Sequence, residues 1–142
     1  MGLFAIFQGK GEDPVPRYED VVLGSMVWSD DDEAWAGELS GVKYLIAYDR
    51  QAKPTNELLG YARKVLADPG AFHSAVERAK RSATAENPRL ADEIAGLQVE
   101  AIHFYMHKGV RRILADLEGG EGDRSWRVEF KEMDCEGIGF DT

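Results

Sequence analysis

The sequence has a single cysteine, no long apolar run and no excess of basic residues. One cysteine, Cys135, cannot form an internal disulfide, which excludes a disulfide-stabilised secreted scaffold and is typical of a reducing compartment. No apolar stretch approaches the roughly 20 residues that cross a bilayer as a helix. The opening residues, MGLFAIFQGKGED, lack the flanks of a signal peptide. We therefore expect a cytoplasmic protein that does not bind membranes.

The charge balance of the chain is acidic. Seventeen lysines and arginines stand against 26 aspartates and glutamates, which gives a net charge of −9. Such a surface repels the phosphate backbone of nucleic acids, and the basic stretches here are short and interrupted. We therefore expect no nucleic-acid binding and a surface suited to a basic protein partner. A homo-oligomer is compatible with this composition.

The periodic segments of the sequence predict one α+β domain over residues 1–142. Alternating β-branched and aromatic residues predict strands, and helix-spaced apolar residues after capping signals predict three helices within 55–97. We predict an antiparallel sheet of about six strands in the order βββ-ααα-βββ, with the helices packed on one face. The predicted strands are 21–29, 34–40, 42–50, 99–107, 110–118 and 125–133.

Two end segments complete the predicted domain. Residues 1–17 are expected to be an N-terminal segment and loop, and residues 133–142 a C-terminal tail docked on the core through Ile138 and Phe140. The residues expected to form the core share the apolar faces of the predicted elements. They are Leu58, Leu66, Phe72, Val76, Ile94, Phe104, Ile113, Trp126, Val128 and Phe130.

His103 and His107 have the spacing that binds zinc when it occurs on a helix. The segment that contains them carries strand signals, and it lacks the glutamate of the HExxH motif. On a strand, four residues separate the two side chains by about 13 Å, which is too far for one metal ion. We expect no metal site and no bound cofactor. The acidic run DDDE at 30–33 is interpreted as a solvated hairpin turn, because it lacks the spacing of a calcium loop.

Cys135 is the candidate nucleophile that remains, because none of the serines lies in a GxSxG motif. A catalytic thiol needs a base or a nearby cation, but the sequence neighbours of Cys135 are Asp134 and Glu136. His73, His103 and His107 are the histidines that could act as the base, with His103 the preferred candidate. The alternative to a structural tail is therefore a Cys135–His103 site.

The arrangement of aromatic strands and turns resembles small uncharacterised bacterial domains of unknown function, some of them from polymorphic-toxin immunity neighbourhoods. The resemblance lies in LGSMVW, DEAWAGEL, VKYLIAY, IHFYMHKGVRRILADL and SWRVEF, over roughly residues 20–132. It implies an α+β fold and a binding role, and it assigns no site residue. We therefore expect a non-enzymatic protein-binding domain with an acidic surface. The alternative is a small hydrolase or transferase whose pocket lies between the helices and the sheet.

Overall fold

A computed structural model describes residues 15–47, 54–120 and 124–141 of the chain. In these residues eight strands form one sheet in sequence order, and three helices lie between the fourth and fifth strands. The strands are β1 Arg17–Asp20, β2 Gly24–Ser29, β3 Ala34–Leu39, β4 Val42–Ala47, β5 Gln98–His107, β6 Val110–Glu118, β7 Ser125–Lys131 and β8 Asp134–Asp141. The helices are α1 Asn56–Leu66, α2 Pro69–Glu86 and α3 Ala91–Ala95, the last preceded by the 3-10 turn Pro88–Leu90. Most of the predicted N-terminal segment, residues 1–14, and the end of one predicted strand, residues 48–50, lie outside the described residues.

The predicted six-stranded antiparallel sheet in βββ-ααα-βββ order is wrong. The described sheet has eight strands, and it is mixed because β4 and β5 pair in parallel. Parallel neighbours need a long crossover connection, and the helical segment between these two strands provides it. The two additional strands are β1, which begins at the last residue of the predicted N-terminal loop and precedes the first predicted strand, and β8, in the region expected to be a docked tail.

Local capping sets where the first two helices begin. The side chain of Thr55 accepts a hydrogen bond from the backbone N–H of Leu58, as expected of an N-cap residue. The side chain of Asp68 does the same for Ala71, and Pro69 occupies the first helical position. Both helix starts were predicted from the sequence and are confirmed.

The core lies between the described helices and one face of the sheet. Tyr61 of α1 packs edge-on against Phe104 of β5, with ring centroids 5.6 Å apart. Phe72 of α2 packs on Phe130 of β7 at 5.5 Å. The residues expected to form the core are all buried except Leu66, which is half-buried. Among the described helices, none is both long and apolar enough to cross a bilayer.

A buried carboxylate joins the first hairpin to α1. Asp20 accepts hydrogen bonds from the backbone N–H groups of Val22 and Leu23, at 3.0 and 2.9 Å, in the turn after β1. It also accepts from the guanidinium of Arg63, with 2.9 Å between Nε and Oδ1. The hydrogen bond from Arg63 is the main reason why the pKa of Asp20 falls to about 2. Asp20 therefore remains ionised although it is only 7% exposed.

Candidate functional site

The open face is the side of the sheet opposite the described helices. Direct cross-strand partners point to the same side of a sheet, so one row of this face is given by the register of β5 to β8. That row consists of His103, Leu114, Glu129 and Gly137. On this face Nε2 of His103 lies 2.8 Å from Oδ2 of Asp116. The neighbouring strand thus orients the imidazole, which remains about one-third exposed.

Cys135 lies on the other side of the sheet. It pairs with Phe130 of β7, whose side chain faces the helices. The exposed thiol lines a groove of about 410 Å³ between α2 and the β7–β8 turn, where Arg78 and Ser82 are among its neighbours. Because His103 belongs to the open face, the structure does not bring Cys135 and His103 together.

The other two histidines also lie away from Cys135. His73 lines a separate, mostly apolar cavity of about 220 Å³ near Phe72 and the β3–β4 turn. His107 is exposed at the end of β5. His103 and His107 lie on the same extended strand, as the sequence predicts. The described residues contain no group of three or more His, Cys, Asp or Glu side chains that could hold a metal ion.

A depression of about 490 Å³ lies on the open face beside β8. Leu114 of β6 lies within it, between the cross-strand neighbours His103 and Glu129. Gly137 and Gly139 leave two alternate positions on this side of β8 without side chains, and a Cβ atom at either position would have no atom within 4 Å. The depression therefore exists because two glycines alternate along the strand.

The charges around the depression are unequally neutralised. Arg127 forms an ion pair with Asp141, and Arg112 pairs with Glu136 at 3.0 Å. Glu129 accepts a long hydrogen bond of 3.4 Å from the hydroxyl of Tyr105. Burial, and secondly the charge of Glu129, raises the pKa of that tyrosine. Of the two carboxylates that line the depression, Asp141 is therefore paired with an arginine, whereas Glu129 has no basic partner among the described residues.

The strand β8 forms one edge of the described sheet. It pairs with β7, and no described strand lies on its other side. Of its eight residues only Ile138 is half-buried, and the others are exposed. Sequence reasoning missed this edge because two glycines and three acidic residues in DCEGIGFD contradict strand propensity. The alternation of Ile138 and Phe140 was the one signal that could have revealed it.

In the described part of the chain, the candidate site therefore combines a strand edge that pairs with no further strand and carries three acidic residues with an adjoining depression on the open face. Neither a family model, nor a curated protein, nor a solved structure matches the chain.

Proposed function

We propose that this chain is a non-enzymatic, cytoplasmic protein-binding domain of the immunity type, and that its acidic surface binds a basic partner. The observation that carries the proposal is the exposed edge strand β8, with Asp134 and Glu136 on it and Glu129 in the adjoining depression. An unpaired strand edge next to a concave surface offers both backbone and side-chain contacts to a partner.

The net charge of −9 supports a basic partner. Complementary charge accelerates diffusional encounter and disfavours like-charged competitors more than it adds affinity. Asp134 is exposed on β8 and contributes to this field at the surface where contact would occur, whereas Glu136 and Asp141 are each paired with an arginine of the chain. A second acidic segment, the β2–β3 turn at 30–33, is also exposed, but it lies far from β8 in the order of strands.

The placement of Cys135 and His103 disfavours the hydrolase or transferase alternative. A thiol nucleophile and its base must lie within hydrogen-bonding reach of each other. These two side chains face opposite sides of the sheet, and the described cavities that contain Cys135 and His73 are separate. Only a substantial rearrangement of the sheet or of α2 would create the pair.

Affinity capture from a lysate of the native cell, followed by mass spectrometry, tests the binding proposal. We expect one strongly basic protein that is retained at low salt and released at high salt, because exposed charges are screened within about 10 Å at 0.1 M ionic strength. The Cys135→Ser variant should capture the same protein. Capture of nothing, capture that is independent of salt, or loss of capture in Cys135→Ser would contradict the proposal.

A further inference from the structure

We infer that β8 binds its partner by strand addition, and that the added strand is an extended segment in which apolar and basic residues alternate. This inference rests on the proposed function, since it specifies the partner segment and where it binds. In the described residues β8 is the long edge of the sheet, with eight residues against four in the opposite edge strand β1. Eight extended residues span about 26 Å, which is enough for a full ladder of backbone hydrogen bonds.

The helix-facing side of β8 selects apolar residues. Ile138 packs against the core, and Phe140 lies on Trp126 with ring centroids 4.6 Å apart. Phe140 nevertheless remains 39% exposed. An added strand would place every second side chain beside these two residues. The Cβ atoms of such cross-strand neighbours are about 4.5–5.5 Å apart. Apolar side chains at those positions would cover the remaining exposed surface of Phe140.

The open side of β8 selects long, positively charged residues. Gly137 and Gly139 present no side chains there, so side chains of an added strand would extend over them into the depression. Glu129 is the direct neighbour of Gly137 on β7 and is therefore two strand spacings, about 10 Å, from the added strand. A lysine or arginine at the matching position has the length to reach its carboxylate.

The charge of the edge argues against a second copy of the same chain as the added strand. Pairing β8 with β8 of another copy would bring Asp134, Glu136 and Asp141 of both strands together. Like charges on directly opposed strand positions are destabilising, and charges on an edge strand are a common means of preventing such self-pairing. A basic segment of a different protein has the complementary charge.

A synthetic peptide tests the inference without knowledge of the natural partner. The probe is an end-blocked eight-residue peptide of alternating valine and lysine, titrated into the isotope-labelled protein and followed by NMR. We expect shift changes concentrated on β7 and β8, and slower hydrogen exchange of amides in β8. A peptide with four valines followed by four lysines has the same composition and should bind far more weakly.

Substitutions on β8 separate strand addition from general charge attraction. A Cβ atom at Gly137 or Gly139 would meet no other atom within 4 Å, so the double variant Gly137→Val and Gly139→Val should fold normally while its side chains occupy part of the depression. We expect its affinity for the alternating peptide to be at least about tenfold lower than that of the wild type, and we expect the same of Glu129→Lys. The matched control is Asp31→Lys, which makes the same charge change on the exposed β2–β3 turn and should alter binding little.

Several results would overturn strand addition. One is that both peptides bind equally well, and another is that the shift changes centre on residues 30–33. The others are that the folded double-valine variant binds the alternating peptide as well as the wild type does, or that the protein associates with itself through β8. The test of the proposed function remains separate from the test of strand addition. If the double-valine variant still captures the basic protein from the lysate, protein binding stands and strand addition fails.

Discussion

The indole Nε1 of Trp126 donates a hydrogen bond of 2.5 Å to Oε2 of Glu93, which joins β7 to the short helix α3. The other carboxylate oxygen accepts from Arg124, also at 2.5 Å. Glu93 is only 8% exposed, so its charge is stabilised by these two donors rather than by water.

Removal of this carboxylate should be strongly destabilising. We expect Glu93→Ala to lower the free energy of unfolding by about 3 kcal/mol, since both donors lose a charged acceptor. Urea unfolding measures the effect. In a double-mutant cycle, Trp126→Phe should cost at least about 1 kcal/mol less in the Glu93→Ala background than in the wild type. Additive effects of the two substitutions would contradict the hydrogen bond.

Two glycine-to-alanine substitutions should have opposite effects on stability. A methyl group at Gly37 of β3 would overlap the ring of Tyr44, which is fully buried and donates a hydrogen bond of 2.9 Å to the carbonyl of Leu23. We expect Gly37→Ala to cost about 1–3 kcal/mol through overpacking. Gly60→Ala lies in α1 with open space around it and should stabilise by about 0.4–1 kcal/mol. Thermal unfolding compares the two, and equal effects would refute the steric argument.

The ion pair between Asp20 and Arg63 predicts a loss of stability in acid. The pKa of Asp20 is about 2 in the folded protein and 3.8 in the reference state. The stabilisation from ionised Asp20 is therefore complete when the pH is above the reference pKa, and it is lost as the pH falls from about 4 to 2. Its size is on the order of 2 kcal/mol. Unfolding free energies measured across this range should fall less steeply in Asp20→Asn than in the wild type, and an identical slope would contradict the assignment.

Helix positions could be predicted from the sequence because their signals are local. Thr55 and the Asp68-Pro69 pair act within one turn of the helices that they begin. The parallel pairing of β4 with β5 depends instead on the path of the chain between them, which no short pattern records. The strands β1 and β8 were missed because one is four residues long and the other contains two glycines.

The candidate site was less predictable than the fold, because it depends on strand register. The sequence offered Cys135 and His103 only as the alternative catalytic pair, and their placement on opposite faces follows from their partners Phe130 and Leu114. Asp116 contacts His103 only because β5 and β6 pair in this register. The depression beside β8 likewise combines side chains from three strands.

The extended geometry of β5 predicts that His103 and His107 do not share a zinc ion. Both residues lie in the strand Gln98–His107, where four residues cover about 13 Å. Calorimetric titration with zinc should show no tight, stoichiometric site, and His103→Ala should not change the titration. A tight site that disappears in this variant would show that the segment is not extended in solution.

The final segment of the chain should contribute to stability through packing and not through its thiol. Deletion of residues 137–142 removes the half-buried Ile138 and the contact of Phe140 with Trp126, together with most of the β7–β8 ladder. Full burial of one such side chain contributes about 1.5–3 kcal/mol, and burial here is partial. We therefore expect the melting temperature to fall by about 5–10 °C.

The matched variant is Cys135→Ser, which should change the unfolding free energy by no more than about 0.5 kcal/mol, because the thiol is exposed. Thermal unfolding of both variants, with alkylation of the wild-type thiol at neutral pH, checks the pair. A deletion without effect would show that β8 is not held by its contacts. A thiol that reacts far faster than a free cysteine would mean that Arg78, which lines the same groove, or another group activates it, and would favour the enzyme alternative over the binding proposal.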